Sequence, residues 1–196
     1  MKHYGIIILA AGESKRFGSP KQLAEFKDKT LLQHTIDEAA KVDKAAVCVV
    51  LGAHKEDILA KHKTEHIIAG INEDWESGMA SSIQVGLHRL QQNYTDLKGC
   101  IIAVSDQPFL KAKIFEHLIE KQKEAGTGIV ASAYAGTLGT PVYLDKKYFD
   151  ELMALKGNDG AKQLLETYKD DLAQIDFEQG EIDIDSPEDL AAINES

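Results

Sequence analysis

Three runs of consecutive apolar residues constrain this chain more than any other feature, Ile6 to Ala11, Ala46 to Leu51 and Gly99 to Val104, and Gly128 to Tyr134 is a fourth strand-like stretch broken only by Ser132. A strand can be apolar at every position only when both of its faces are covered, as in a parallel sheet with helices on either side. The stretches between the runs supply such helices. Thr30 is placed to cap a helix carrying Leu31, Leu32, Ile36, Ala39 and Ala40 on one face, and His54 to Lys61 reads as a short covering helix. His66 to Ala69 reads as a short strand, Asn72 to Leu90 as a polar loop running into a helix, and Ala112 to Ala125 as a further helix. Strand and helix alternate, which predicts an α/β domain of three layers with a mainly parallel sheet. No repeat, low-complexity tract or linker interrupts residues 1–196, so one domain is expected.

After Tyr134 the pattern becomes less regular. Gly136, Gly139 and Pro141 predict a shaped loop before a short strand Val142 to Leu144. Helices are expected over Tyr148 to Leu155 and Ala161 to Tyr168, with Gly157 to Gly160 between them either as their caps, the favoured reading, or as a loop in contact with substrate. Ile182 to Asp185 alternates apolar and acidic residues, so a short strand there would put Asp183 and Asp185 on one side. Ser186 and Pro187 then open a last helix.

The chain carries a formal charge of −10, which argues against nucleic acid or an anionic membrane as partner. It shows neither a charged-then-apolar leader nor an apolar stretch of membrane-spanning length, and a cytoplasmic location is expected. Cys48 and Cys100 each fall inside an apolar run and read as buried, reduced thiols. The histidines fit no metal-binding spacing and read as surface or packing residues.

The first apolar run ends in Leu9-Ala10-Ala11-Gly12, followed by the cations Arg16 and Lys21. Open α/β sheets bind ligands at the carboxyl ends of their strands, and small residues let backbone N–H groups approach an anion. Arg16 and Lys21 would add charge-assisted hydrogen bonds to phosphate. Neither the P-loop nor the dinucleotide glycine fingerprint is present, and an ordinary strand-to-helix turn with solvated cations would look the same locally. Gly78, Ser81 and Ser82 stand at the predicted start of a helix, where they either cap it or leave room for a ligand. Asp106 ends a buried strand on the same edge as the Gly12 loop, where it is either a turn aspartate or a metal-holding carboxylate. Asp185 offers a second carboxylate.

Taken together, LAAGESKRFGSPKQL (9–23), WESGMASSIQVGL (75–87), SDQP (105–108), GTP (139–141), GNDGAKQLL (157–165) and DIDSPEDL (183–190) resemble the Rossmann-like glycosyltransferase-A-fold nucleotidyltransferases, and specifically the molybdenum cofactor cytidylyltransferases. The resemblance covers nearly the whole chain. It implies magnesium-dependent transfer of CMP from CTP to the phosphate of molybdenum cofactor, releasing pyrophosphate, with a molybdenum hydroxylase as recipient of the product. By position it implies that Leu9, Ala10, Ala11 and Gly12 meet the nucleotide, that Arg16 and Lys21 bind its triphosphate, and that Ser82, with Gly78 and Ser81, faces the base. Asp106 and Asp185 match the metal-binding aspartates, and Lys21, Arg16 and Asp106 the catalytic set. Ala11 stands where related guanylyltransferases carry glycine, which favours CTP over GTP. Thr140 and Lys162 depart from the histidine and arginine common at their positions. Two other readings stay open: a cytidylyl- or uridylyltransferase for a sugar phosphate or similar metabolite, and a non-catalytic molybdenum cofactor-binding maturation factor.

Overall fold

Successive side chains of a strand leave opposite faces, so each apolar run must feed two cores. The computed structural model, which describes residues 1–62 and 67–194, shows both. In β1 (Tyr4–Ala10), Ile6 and Ile8 enter one core and Ile7 the other, all fully buried. A small hairpin, β2 (Glu25–Phe26) with β3 (Lys29–Thr30), leads into α1 (Leu31–Ala40), where Thr30 Oγ1 accepts from the Gln33 N–H as the expected cap. The alternation continues through β4 (Ala45–Leu51), α2 (Lys55–Lys61), β5 (Ile68–Ile71), α3 (Met79–Asn93), β6 (Gly99–Val104) and α4 (Ala112–Ala125). Of the strand expected over His66 to Ala69, His66 lies outside the described residues and the observed strand runs on to Ile71.

The remainder is β7 (Ile129–Tyr134), β8 (Thr137–Asp145), α5 (Phe149–Ala154), α6 (Ala161–Thr167), β9 (Leu172–Asp176) and α7 (Pro187–Asn194). Three details differ from expectation. The shaped loop before Val142 is itself strand, because Ala135 and Gly136, both at positive φ, close a tight hairpin between β7 and β8. An unexpected edge strand, β9, pairs parallel with β7. Ile182 to Asp185 is extended but joins no ladder among the described residues, since its Ile184 N–H is taken by the Asp106 carbonyl at 3.0 Å.

The seven strands lie in the order β5-β4-β1-β6-β8-β7-β9, all neighbours parallel except β8, which runs against both β6 and β7. Helices α3, α5 and α6 cover one face through Ile83, Leu87, Leu152 and Leu164, and α1, α2 and α4 the other through Leu32, Ile36, Ile58 and Phe115. This is the expected three-layer α/β arrangement with a mainly parallel sheet. Helix α3 lies close to β1 because position 86 is glycine: a Cβ there would sit 2.5 Å from Ile7 Cγ2. A third, small core of Phe26, Leu31 and Ile184 ties the C-terminal segment to the β2–β3 hairpin. Both thiols are buried and unpaired with each other, and burial pushes each up to about 12. Among the described residues no helix is long and apolar enough to cross a membrane.

Candidate functional site

The parallel strands β4, β1 and β6 end at one edge, so the segments that follow them meet there. A cleft of about 520 Å³ opens at this edge. Its floor is Leu9 to Arg16 with Lys21, one wall is Val104 to Asp106, and the opposite wall is Trp75, Glu76, Gly78, Met79 and Ser82. Asn158 and Asp185 close the rim. Of the residues the resemblance assigns to nucleotide, metal or catalysis, all but Ser81 line the cleft; Thr140, Lys162 and Asp183 do not.

The charges form one network. Lys21 Nζ donates to Asp106 Oδ2 at 2.6 Å and to Asp185 Oδ1 at 2.9 Å, while Arg16 binds the other oxygen of Asp185 at 2.6 Å. The side chains of Lys21 and Asp106 are only 17% and 18% exposed, so their attraction is weakly screened, whereas Arg16 at 76% is largely solvated. Burial pulls the Lys21 ammonium down, but the charge and hydrogen bonds of Asp106, then of Asp185, outweigh it and leave its pKa raised. The Lys21 hydrogen bond in turn holds Asp185 below the ordinary carboxylate range. Asp183, outside the cleft lining, behaves oppositely: desolvation, then the charges of Asp106 and Asp185, push its carboxyl up to about 6.

The C-terminal segment reaches this site through two devices. The Ile184 N–H to Asp106 carbonyl bond clips it to the end of β6, and a capping box, Asp189 Oδ2 with the Ser186 N–H and Ser186 Oγ with the Asp189 N–H, starts α7 immediately after Asp185. The expected helix start at Ser186-Pro187 is thus present, and it fixes where Asp185 points.

The wall at the start of α3 is organised by Asn72, a residue the sequence reading passed over. Its buried amide donates to Ser81 Oγ at 2.8 Å and Ser82 Oγ at 2.9 Å. Ser81 also donates to the carbonyls of Gly78 and Asp74, so its hydroxyl is spent inside the turn, while Ser82 remains at the cleft. Gly78, at φ +114°, lets the Gly157 carbonyl approach and accept from the Ala80 N–H at 3.0 Å. The Gly157–Gly160 loop, for which capping was the favoured expectation and substrate contact the alternative, therefore brings Asn158 to the cleft.

The donor set suits a hard divalent cation. Asp106 Oδ1 is buried without a hydrogen-bond partner among the described residues, although its twin oxygen is paired. A buried carboxylate oxygen left over beside a second carboxylate is a natural metal ligand. No group of three or more His, Cys, Asp or Glu among the described residues is placed to hold a metal. An ion here would lean on two carboxylates and take its other ligands from phosphates and water, the usual habit of magnesium.

With this geometry in place, comparison with known proteins is informative. Residues 6–172 match the MobA-like NTP transferase domain. The chain belongs to that nucleotidyltransferase family. Purine catabolism protein PucB of Bacillus subtilis is 27% identical, with 93% of this chain and 91% of PucB covered. Nicotine blue oxidoreductase of Paenarthrobacter nicotinovorans is 29% identical over 69% of this chain and 63% of its own length. A probable molybdenum cofactor guanylyltransferase of Pyrococcus horikoshii is 34% identical over 58% of this chain and 54% of its own. Among solved structures, Rv0371c of Mycobacterium tuberculosis superimposes with a TM-score of 0.87 at 26% identity, covering 100% of this chain and 98% of that one. Rv0371c has also been crystallised in complex with manganese.

Proposed function

We propose that this protein transfers CMP from CTP to the phosphate of molybdenum cofactor, releasing pyrophosphate, and does so in the cytoplasm, the product passing to a molybdenum hydroxylase. The observation that carries the reading is the Lys21 ammonium held between Asp106 and Asp185 under a loop of small residues, at the strand edge where this family's nucleotide is expected.

Attack on the α-phosphate places negative charge on phosphoryl oxygens and on the leaving pyrophosphate, so catalysis is positioning and charge stabilisation. In this reading Leu9 to Gly12 line the nucleotide, Ala10 to Gly12 through backbone groups, Arg16 orients its outer phosphates, and Lys21 moves from the carboxylates to the α-phosphate as charge develops there. Asp106 and Asp185 would hold magnesium, which when bound would neutralise charge between the two polyanions. No general base is required, because a phosphate monoester acceptor is already anionic near neutral pH.

The choice of CTP rests on Ala11, whose Cβ fills the space a glycine would leave at the floor, and on Ser82 with Gly78 and Met79 at the far wall. The Pyrococcus relative makes GTP the competitor to test. A pyrophosphate-release assay with CTP or GTP, magnesium and molybdenum cofactor, run against a panel of sugar phosphates, decides among the readings. Release confined to CTP with molybdenum cofactor is expected. Turnover with a sugar phosphate instead would move the protein to small-metabolite nucleotidyl transfer, and cofactor binding without any turnover would make it a maturation factor.

A further inference from the structure

Gln22 follows Lys21 in a polar, cation-rich turn, yet it is only 2% exposed. A buried carboxamide must satisfy both of its ends. Gln22 Nε2 donates to the carbonyls of Ala10 at 3.1 Å and Gly12 at 3.0 Å, and its Oε1 accepts from Ser14 Oγ at 3.3 Å. The same serine hydroxyl accepts from the Lys21 N–H at 3.3 Å. One side chain thus engages the loop at three successive alternate residues and, through Ser14, the backbone of the lysine at the centre of the site.

The consequence is electrostatic. A peptide that turns its carbonyl toward Gln22 turns the N–H of the following residue the other way, here those of Ala11 and Glu13; the N–H groups of Gly12 to Arg16, Glu13 included, donate no hydrogen bond among the described residues. Carbonyl oxygens facing a polyphosphate would repel it, whereas a concavity of N–H groups attracts it. We infer that Gln22 is a positioning residue for nucleotide binding: its carboxamide gathers the loop carbonyls of Ala10 and Gly12 so that the loop amides face the triphosphate. This rests on the proposed nucleotidyl transfer only in taking a nucleoside triphosphate as the anion. It assigns Gln22 an effect on affinity exerted through the backbone rather than through charge.

Two substitutions separate this role from simple packing. Gln22→Glu keeps the shape but, once ionised, donates to neither carbonyl and aims a charge at both; on protonation it regains one O–H donor. Gln22→Met keeps the volume and loses both ends of the hydrogen bonding. Affinity for CTP with magnesium is measured by calorimetry between pH 5.5 and 8, each variant as a ratio to the unaltered protein, so that titration of the nucleotide and of neighbouring Glu13, Asp106, Asp183 and Asp185 divides out. The expected result for Gln22→Glu is CTP binding weakened about 30-fold or more at pH 8, the ratio closing several-fold on acidification. For Gln22→Met it is about tenfold weakening at every pH. CTP binding by folded Gln22→Glu that is unchanged at pH 8, or a loss in both variants that is independent of pH and proportional to the fall in melting temperature, overturns the inference. Should Gln22→Glu not fold, unchanged binding by Gln22→Met does so. Failure of the unaltered protein to bind any nucleoside triphosphate counts instead against the proposed function.

Discussion

From β5 to β6 every neighbour is parallel and nearly every side chain of β1, β4 and β6 is apolar, whereas from β6 to β9 the ladder reverses at β8 and polar groups enter the sheet. Ser132 is fully buried and donates to the Pro141 carbonyl, and the Tyr143 hydroxyl is buried with no partner among the described residues. The parallel half brings its strand ends to one edge and so collects Lys21, Asp106 and the loop amides. The reversed half collects no such edge; it supplies the Gly157–Gly160 loop and, through Ala133 and Tyr134 of β7, the support for the turn Phe177 to Gly180 that leads into the C-terminal segment. Chemistry and support are thus divided along the sheet, and variants in the two halves are expected to fail differently.

The sharpest break should come from Lys21→Ala. Pyrophosphate release is expected to fall about 1,000-fold, the scale of losing one preorganised charge stabiliser, in the assay already described. The same change leaves Asp106 and Asp185 facing each other without their shared cation, so the melting temperature should fall too, and magnesium should raise it more in the variant than in the parent. An equal magnesium response in both proteins would remove the case for a metal between these carboxylates. Next comes the seam between the halves. Gly78→Ala places a Cβ 2.2 Å from the Gly157 carbonyl oxygen at a φ that disfavours any side chain. A loss of about 2 kcal/mol in urea unfolding, with weaker CTP binding as the Asn158 loop is displaced, is expected; unchanged affinity would show that loop to be structural only. The smallest effect belongs to the reversed half. Tyr143→Phe removes a hydroxyl without a hydrogen-bond partner among the described residues, so stability should hold or rise by about 1 kcal/mol or less, with CTP affinity unaltered.

This division also explains what the sequence could and could not reveal. The strands of the parallel half are legible because burial on both faces writes itself as an unbroken apolar run, and Asp106 and the Gly12 loop are legible because they terminate such runs. Strand β8 is legible only in its buried second half, Val142 to Leu144; its first half is not, because Thr137 to Thr140 are exposed or partly exposed and Pro141 argues against a ladder. The ladder accommodates that proline by slipping between Ala131 and Ser132, whose partners on β8 are Val142 and Gly139, so Thr140 and Pro141 pair with nothing. Strand β9 lies at an edge with partly exposed residues, which weakens its pattern. Asp183 and Asp185 alternate like strand residues, but a backbone bond to Asp106 claims the segment first. Asn72 and Gln22 were invisible for a common reason: an amide in a polar stretch reads as surface until the carbonyls and hydroxyls it serves are seen around it.

The bond from the Ile184 N–H to the Asp106 carbonyl also has a bearing on biosynthesis. Every strand of the sheet has been made by Asp176, so a nascent chain of that length already holds Lys21 and Asp106 but not Asp185. The site is therefore completed last, when the final turn of chain is threaded back across the end of β6. A chain truncated after Ile182 should pass a protease test of folding and fail one of metal-dependent nucleotide retention, which makes residues 183–196 a condition for function rather than for fold.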